Sequence, residues 1–66
     1  MRDEVKGRLR GLVGHYVIIS ADSPSGELTV GGVLEEVSDG VIVLRQGRVR
    51  RFITNVVVVE VIDCGV

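Results

Sequence analysis

Three short runs of apolar residues organise this chain, at residues 16–19, 41–44 and 56–62, the last interrupted only by Glu60. A strand with one face in water alternates apolar and polar residues, whereas a strand covered on both faces is almost continuously apolar. The pattern therefore predicts buried strands, and the four valines at residues 56–59 predict one that tolerates water on neither face. Because a chain of 66 residues has little room for covering helices, we expect the cover to come from closure of a barrel or from another subunit.

The remaining elements follow from helical periodicity and from turn-forming residues. Apolar residues at helical spacing predict a helix that ends near Gly11 or Gly14, because glycine is a natural helix stop. Gly31 and Gly32 interrupt a long second strand, which predicts a bulge or a sharp bend there. The predicted elements are a helix over residues 2–12 and strands over residues 15–21, 27–37, 41–44, 48–54 and 56–62. The predicted links are turns at residues 22–26, 38–40 and 45–47 and a hinge at Asn55.

These elements describe a mostly β fold, in which a short N-terminal helix precedes a five-stranded, strongly bent antiparallel small barrel, in one domain over residues 1–66. A domain of this size buries only roughly 60% of the surface that its unfolded chain exposes, and such domains usually gain stability from disulfides, a metal or oligomerisation. The single cysteine excludes an internal disulfide, and one histidine with one cysteine leaves a zinc site two ligands short. We therefore predict a homo-oligomer without metal or other cofactor.

Charge and hydropathy narrow the class of partner. The net charge is −1 and the sequence pI is about 5.7, so the whole molecule is not a polycation for nucleic acid. The apolar runs are far shorter than the roughly 20 residues needed to span a bilayer, and the N-terminus has no apolar core of a secretory signal. The sequence thus predicts a soluble cytoplasmic protein with no membrane partner.

The order of these elements resembles that of the Sm and Sm-like (LSm) small barrels. The resemblance covers nearly the whole chain and implies a ring, in which the fourth strand of one subunit pairs with the fifth strand of the next. RNA is the ligand that the family implies. The matching residues are Leu12, Gly14 and Val17 at the first strand, Gly32, Val33 and Leu34 at the bend, residues 41–44, and Phe52, Ile53 and residues 56–62 at the end.

The motifs with which the family contacts RNA are not matched. Residues 39–42 contain no asparagine where the first family motif ends in one. Ile53 is followed by Thr54 and Asn55 where the second motif has an Arg-Gly or Lys-Gly pair. No RNA-binding residue is therefore carried over from the family to this chain.

The last strand predicts an oligomer interface without reference to any family. An exposed edge strand rich in valine, with one charge and no proline, is a template for uncontrolled pairing, and a closed ring removes that edge. Glu60 is the one charge in this strand, and we expect it to reach either water or an arginine of a neighbouring fourth strand. The predicted interface residues are Phe52, Val56, Val57, Val58, Val59 and Val61.

Four arginines within seven residues are the main candidate for binding a ligand. Guanidinium forks suit phosphates through bidentate hydrogen bonds, and a ring would repeat the patch. The alternative is a solvated hairpin that keeps the chain soluble and pairs with Glu35 and Glu36 on the adjacent strand. The predicted nucleic-acid-binding residues are Arg45, Arg48, Arg50 and Arg51.

The few other reactive or aromatic side chains are assigned structural roles. Tyr16 and Phe52 are the only aromatic residues, and we predict both in the core, with base stacking as the alternative. His15 is expected at the edge of a strand, because no second ligand or nucleophile accompanies it in sequence. Cys64 is expected to be an incidental thiol, with an intersubunit disulfide as the alternative.

Two functions stay open from the sequence. The first is a ring-forming binding module that contacts RNA or another polyanion through the arginine hairpin. The second is a structural or protein-interaction module without nucleic acid, favoured by the acidic pI and by the unmatched RNA motifs. An enzyme is not expected, because no set of acid, base and nucleophile occurs, and no small-molecule substrate is evident.

Overall fold

The computed structural model describes residues 2–66 as one short helix and five strands in a single antiparallel sheet. The strands are ordered β4-β3-β2-β1-β5, and every neighbouring pair is antiparallel. The mostly β class, the short helix and the five antiparallel strands are therefore confirmed. In chain order the elements are α1 (Asp3–Arg10), β1 (Tyr16–Ser23), β2 (Gly26–Ser38), β3 (Val41–Gln46), β4 (Val49–Thr54) and β5 (Val57–Asp63).

The sheet is not closed into a barrel, so the predicted closed barrel is not what the single chain forms. β4 and β5 follow one another in sequence but lie at opposite edges of the strand order. Asn55 lies between them with a positive φ of 57°, which agrees with the predicted hinge. After this hinge β5 pairs with β1, and closure would need a second ladder on its other side.

The core lies on one face of the sheet, called here the inner face, and α1 packs against it. Leu9 of α1 is fully buried, and Val5 and Leu12 pack against the cluster. The helix ends at Arg10, directly before Gly11, the earlier of the two predicted stops. It is therefore shorter than the predicted range of residues 2–12. The other buried members of the core are Val17, Ile19, Ala21, Val30, Leu34, Val37, Ile42, Leu44, Ile53 and Val61.

Polar contacts also fasten α1 to the sheet. The Arg10 Nε donates to the Val37 carbonyl oxygen at 3.5 Å, and the Arg8 Nη2 donates to that of Val61 at 3.2 Å. Lys6 forms an ion pair with Asp39 in the turn between β2 and β3. The hydrogen bond from Lys6, followed by its charge, lowers the pKa of Asp39 below its ordinary value.

β2 has a register shift at Glu35, whereas the bulge predicted at the glycine pair is absent from the β1–β2 ladder. Gly31 and Gly32 pair with successive residues of β1 without a shift. Between β2 and β3 the pairing moves from Leu34 to Glu36, so Glu35 is an extra residue. This bulge keeps both Leu34 and Val37 on the inner face, where each is buried.

A second bulge decides how the valine run is oriented. Ser20 of β1 pairs with Glu60, and the next residue, Ala21, pairs with Val58. Val59 is therefore the extra residue in β5. Val58 and Val61 therefore both face the core, whereas Val57 and Val59 are 69% and 64% exposed on the opposite, outer face. The prediction that this strand is covered on both faces is wrong for the single chain, because no element lies over its outer side in residues 2–66.

The turns are tighter than the sequence predicts. β1 and β2 extend to Ser23 and Gly26, so the predicted loop at residues 22–26 shrinks to Pro24 and Ser25. Ser23 stabilises this turn, because its hydroxyl accepts a hydrogen bond from the Ser25 backbone N–H at 3.3 Å and donates one to the Gly26 carbonyl at 2.8 Å. β3 likewise runs two residues beyond its predicted end, to Gln46.

The helical content offers no candidate for a membrane-spanning segment within residues 2–66, since α1 is too short and too polar to cross a bilayer.

Candidate functional site

The β3–β4 hairpin carries the four arginines of the predicted patch but places them in three different settings. Arg45 and Arg50 face each other in the ladder, on the outer face. Arg51 pairs with the buried Leu44 and is therefore directed to the inner side of the edge strand. Arg48 lies in the turn. The patch is thus not one surface, because adjacent strand residues point to opposite faces.

Glu35 forms ion pairs with two of these arginines, Arg45 and Arg50. Its Oε2 accepts a hydrogen bond from the Arg45 Nε at 3.2 Å, and its Oε1 accepts one from the Arg50 Nε at 2.9 Å. The predicted pairing with Glu35 is confirmed. Glu36 is in no ion pair of residues 2–66, so that part of the prediction is wrong. One carboxylate between two guanidiniums leaves this group, called here the Arg45–Glu35–Arg50 triad, with one unbalanced positive charge.

Phe52 lies beside the triad on the outer face of β4. Its ring centroid is 5.6 Å from the Arg50 Cζ, a cation–π distance, and 62% of the residue is exposed. The prediction that Phe52 belongs to the core is wrong, because its neighbour Ile53 takes the inward position and nothing in residues 2–66 covers the Phe52 ring.

Tyr16 is also outside the core, against the prediction, and is 46% exposed. Its ring covers Gly31 on the neighbouring strand, since a Cβ placed on Gly31 would lie 2.9 Å from the Tyr16 hydroxyl oxygen. Both aromatic residues therefore lie on the outer face of the sheet.

The free edges carry exposed apolar side chains. On β4 these are Val49 and Phe52, at 63% and 62% exposure, and on β5 they are Val57 and Val59. Of the six predicted interface residues, Phe52, Val57 and Val59 are exposed, and Val56 and Val58 are half-buried against the core. Val61 is buried in the core of its own chain, at 7% exposure.

Two grooves border these edges. One of about 760 Å³ lies between α1 and β5 and is lined by Arg2, Val5 and the valines at residues 56–59. Another of about 480 Å³ lies between the β1–β2 turn and β4, where Arg51 and Asn55 stand beside Leu28 and Ile53. An extended segment placed along either edge would therefore meet apolar side chains as well as free backbone groups.

The sequence predicts no partner for His15, but the fold supplies one. The His15 Nδ1 lies 3.0 Å from the Asp63 Oδ1, and the same oxygen accepts a hydrogen bond from the Gly65 N–H at 2.8 Å. The hydrogen bond from His15, and then that from Gly65, lowers the pKa of Asp63 below its ordinary value of 3.8. Sequence reasoning missed this pair because 48 residues separate its members.

No third metal-ligating side chain of residues 2–66 completes a metal site at these two residues. Cys64 is exposed, and its Sγ lies 4.0 Å from the Ile62 carbonyl oxygen, a backbone contact only. Within residues 2–66 no group of three or more His, Cys, Asp or Glu side chains has the geometry to hold a metal ion. The His15–Asp63 contact instead ties the end of β5 to the start of β1.

The geometry offers two open strand edges and an arginine hairpin that Glu35 partly neutralises. Comparison with family models, with curated proteins and with solved structures found no match.

Proposed function

We propose that this protein is a homo-oligomeric, Sm-like binding module in which β4 of one subunit pairs with β5 of the next to form a ring. The observation that carries the proposal is the pair of unpaired edge strands, each with exposed apolar side chains. A soluble protein rarely leaves two such edges open, because each is a template for uncontrolled pairing. The exposed thiol of Cys64 suits a reducing compartment, so the proposal includes the cytoplasm.

Side-chain burial favours this assembly as much as backbone pairing does. Covering a valine or phenylalanine side chain stabilises association by about 1.5 to 3 kcal/mol when burial is complete. Phe52, Val57 and Val59 are each more than 60% exposed in the single chain. Pairing unlike edges is a head-to-tail contact, which either closes into a ring or grows into a filament. Closure leaves no free edge.

Polyanion binding is the activity proposed for this ring, and it depends on Arg48 and Arg51. Arg45 and Arg50 already donate to Glu35, whereas Arg48 and Arg51 are in no ion pair of residues 2–66. Repetition around a ring multiplies these charges, and phosphate contacts add through release of counterions. RNA is the polyanion that we test.

The assembly is tested by sedimentation of the wild type and of Val59→Lys. We expect the wild type to be oligomeric and the variant to be a single subunit, because a charge on the outer face of β5 opposes pairing. Thr29→Lys is the matched control, since it puts the same charge on an exposed position of the central strand β2. A wild type that sediments as one subunit throughout the micromolar range contradicts the proposal.

The ligand is tested by fluorescence anisotropy with a uridine oligonucleotide at about 50 mM and about 200 mM salt. Replacing both Arg48 and Arg51 with alanine is expected to weaken binding by about tenfold or more and to flatten the salt dependence. Arg2→Ala, outside the hairpin, is the control. Equal binding by the double variant and the wild type contradicts the assigned role of the hairpin.

A structural or protein-interaction module without nucleic acid is the second candidate. The observation that favours it is that Arg45 and Arg50 both donate to Glu35, so that only two of the four hairpin arginines are outside an ion pair of residues 2–66. In that case the purified oligomer carries no nucleic acid, and its 260/280 nm absorbance ratio is that of protein alone.

A further inference from the structure

The two free edges of the sheet carry opposite unbalanced charges on the same face. Glu60 pairs with Ser20 in the β1–β5 ladder, and the neighbours of Ser20, Ile19 and Ala21, are buried in the core. Since strand residues alternate between faces, Ser20 and Glu60 point to the outer face. Arg50, at the other edge, lies on the outer face as well.

Neither Glu60 nor Arg50 has its charge balanced by an oppositely charged group of its own within residues 2–66. Glu60 is exposed and is in no ion pair of residues 2–66. The Arg45–Glu35–Arg50 triad has two guanidiniums and a single carboxylate. The side chain of Glu35 is 30% exposed and that of Arg50 is 53% exposed, so Arg50 has room for a second acceptor.

We infer that Glu60 of one subunit pairs with Arg50 of the next, which extends the triad to two carboxylates against two guanidiniums. The inference rests on the proposed pairing of β4 with β5 and specifies its register and its selectivity. A surface ion pair of this kind is weak in a single chain, but its members become partly desolvated in an interface, where opposite charges select the register.

The register that joins these charges also matches the apolar residues on the outer face. If Val59, the extra residue of the β1–β5 ladder, is also left unpaired in an antiparallel β4–β5 pair, then counting from Arg50 opposite Glu60 places Phe52 opposite Val57. These two residues are 62% and 69% exposed in the single chain. The same register thus covers the largest exposed side chain of β4 with an exposed valine of β5.

The inner face agrees with this register. Val49, which is 63% exposed, falls opposite Val61, and Ile53 falls opposite Val56. A shift by one residue would place Arg50 against an inward-facing valine and leave Glu60 without a cation, since the faces of a strand alternate. The charged pair therefore opposes slippage of a seam that is otherwise nearly uniform valine.

Charge reversal tests the pair with an internal rescue. Sedimentation equilibrium of Glu60→Arg and of Arg50→Glu is expected to show dissociation constants raised by about a hundredfold or more, because each change places like charges together. The double variant restores opposite charges, and we expect its dissociation constant to return to within about tenfold of the wild type. Recovery in the double variant excludes misfolding as the cause of the single effects.

Glu36→Arg is the matched control, since it makes the same change of charge on the central strand β2. It is expected to leave the dissociation constant within about threefold of the wild type. Far-UV circular dichroism of every variant confirms that the strands are retained.

The outcomes separate this inference from the proposed function. A wild type that stays a single subunit overturns both. A wild type that assembles, with Glu60→Arg assembling equally well, overturns the inference and leaves the β4–β5 ring in place. An effect of Glu60→Arg that the double variant does not relieve also overturns the pairing with Arg50.

The register has its own test by cross-linking. In a Cys64→Ser background, Phe52→Cys with Val57→Cys is expected to give a ladder of covalent oligomers on mild oxidation, because opposite residues of a ladder lie within disulfide reach. Phe52→Cys with Thr29→Cys is the control and is expected to give none. An assembled Phe52→Cys, Val57→Cys protein that forms no ladder overturns the register.

Discussion

The backbone of Arg45 passes directly against Gly32, so that a Cβ built on this glycine would lie 2.8 Å from the Arg45 carbonyl oxygen. Gly32 is buried and faces the inner side of β2, between Leu34 and Val30. Two strands of the sheet therefore approach more closely here than any side chain permits. The glycine that the sequence indicates as a bend serves close packing of β3 on β2.

Gly32→Ala is expected to destabilise the protein by about 1 to 3 kcal/mol, because the added methyl group meets backbone that must shift. Urea unfolding followed by circular dichroism at fixed protein concentration measures the change. Gly7→Ala is the matched control. A Cβ at Gly7 meets no atom within 4 Å, and alanine in a helix interior is about 1 kcal/mol more favourable than glycine. Equal effects of the two substitutions contradict the packing described.

Leu9→Ala is expected to lower the free energy of unfolding by about 2 to 5 kcal/mol, because Leu9 is fully buried where α1 covers the inner face. The same unfolding measurement applies. Val13→Ala, at a position 45% exposed, is the control and is expected to change stability by about 0.5 kcal/mol or less. A wild-type midpoint for Leu9→Ala means that the helix does not pack on the sheet in solution.

The His15–Asp63 contact predicts a pH dependence. Asp63 has a lowered pKa in the folded chain, so it contributes stability that is present above its ordinary value of 3.8 and is lost as the pH falls through the folded value. Asp63→Asn is therefore expected to unfold at a lower urea concentration than the wild type at pH 6. This difference in urea midpoint is expected to shrink as the pH falls below 3.8. Asp22→Asn, at an exposed carboxylate outside the ion pairs of residues 2–66, is the control. A difference that is constant down to pH 2 contradicts the assignment.

Glu35→Gln is expected to strengthen binding of a uridine oligonucleotide, because it removes the carboxylate that Arg45 and Arg50 share and frees Arg45, while Arg50 keeps Glu60 of the neighbouring subunit as its partner in the inferred seam. Each guanidinium that reaches a phosphate steepens the slope of log K against log salt by about 0.7 for a single strand. Titrations at several salt concentrations measure this slope. Glu36→Gln removes the same charge from the adjacent residue, and an equal gain in that variant shows that the triad does not restrain the arginines.

Local sequence predicted the elements well because their signals are local. Gly11 ends α1, Asp39 and Gly40 form the turn before β3, and Asn55 is the hinge before β5. Each of these residues has backbone preferences that hold wherever the rest of the chain lies. The pairing of Arg45 and Arg50 with Glu35 was also predictable, since β2 and β3 are joined by a tight turn and must be neighbours.

The candidate site was predicted less well, because its geometry depends on register and on distant partners. The four arginines are consecutive enough to suggest one patch, but the pleat sends Arg51 to the face opposite Arg50. Phe52 is apolar and was expected inside, yet it lies on the outer face of an edge strand that nothing in residues 2–66 covers. His15 and Asp63 meet only because β5 crosses to β1.

Sequence alone determined the order of the elements, a short helix followed by five antiparallel strands, with a turn at Asp39 and Gly40 and a hinge at Asn55, because turn residues and apolar runs act within a few positions. Tertiary structure decided that β5 joins β1 and leaves two edges open, and that one bulge turns Val57 and Val59 outwards. The physical reason is that pairing and face are set by hydrogen bonds between strands distant in sequence, and a shift of one residue exchanges the faces of a strand.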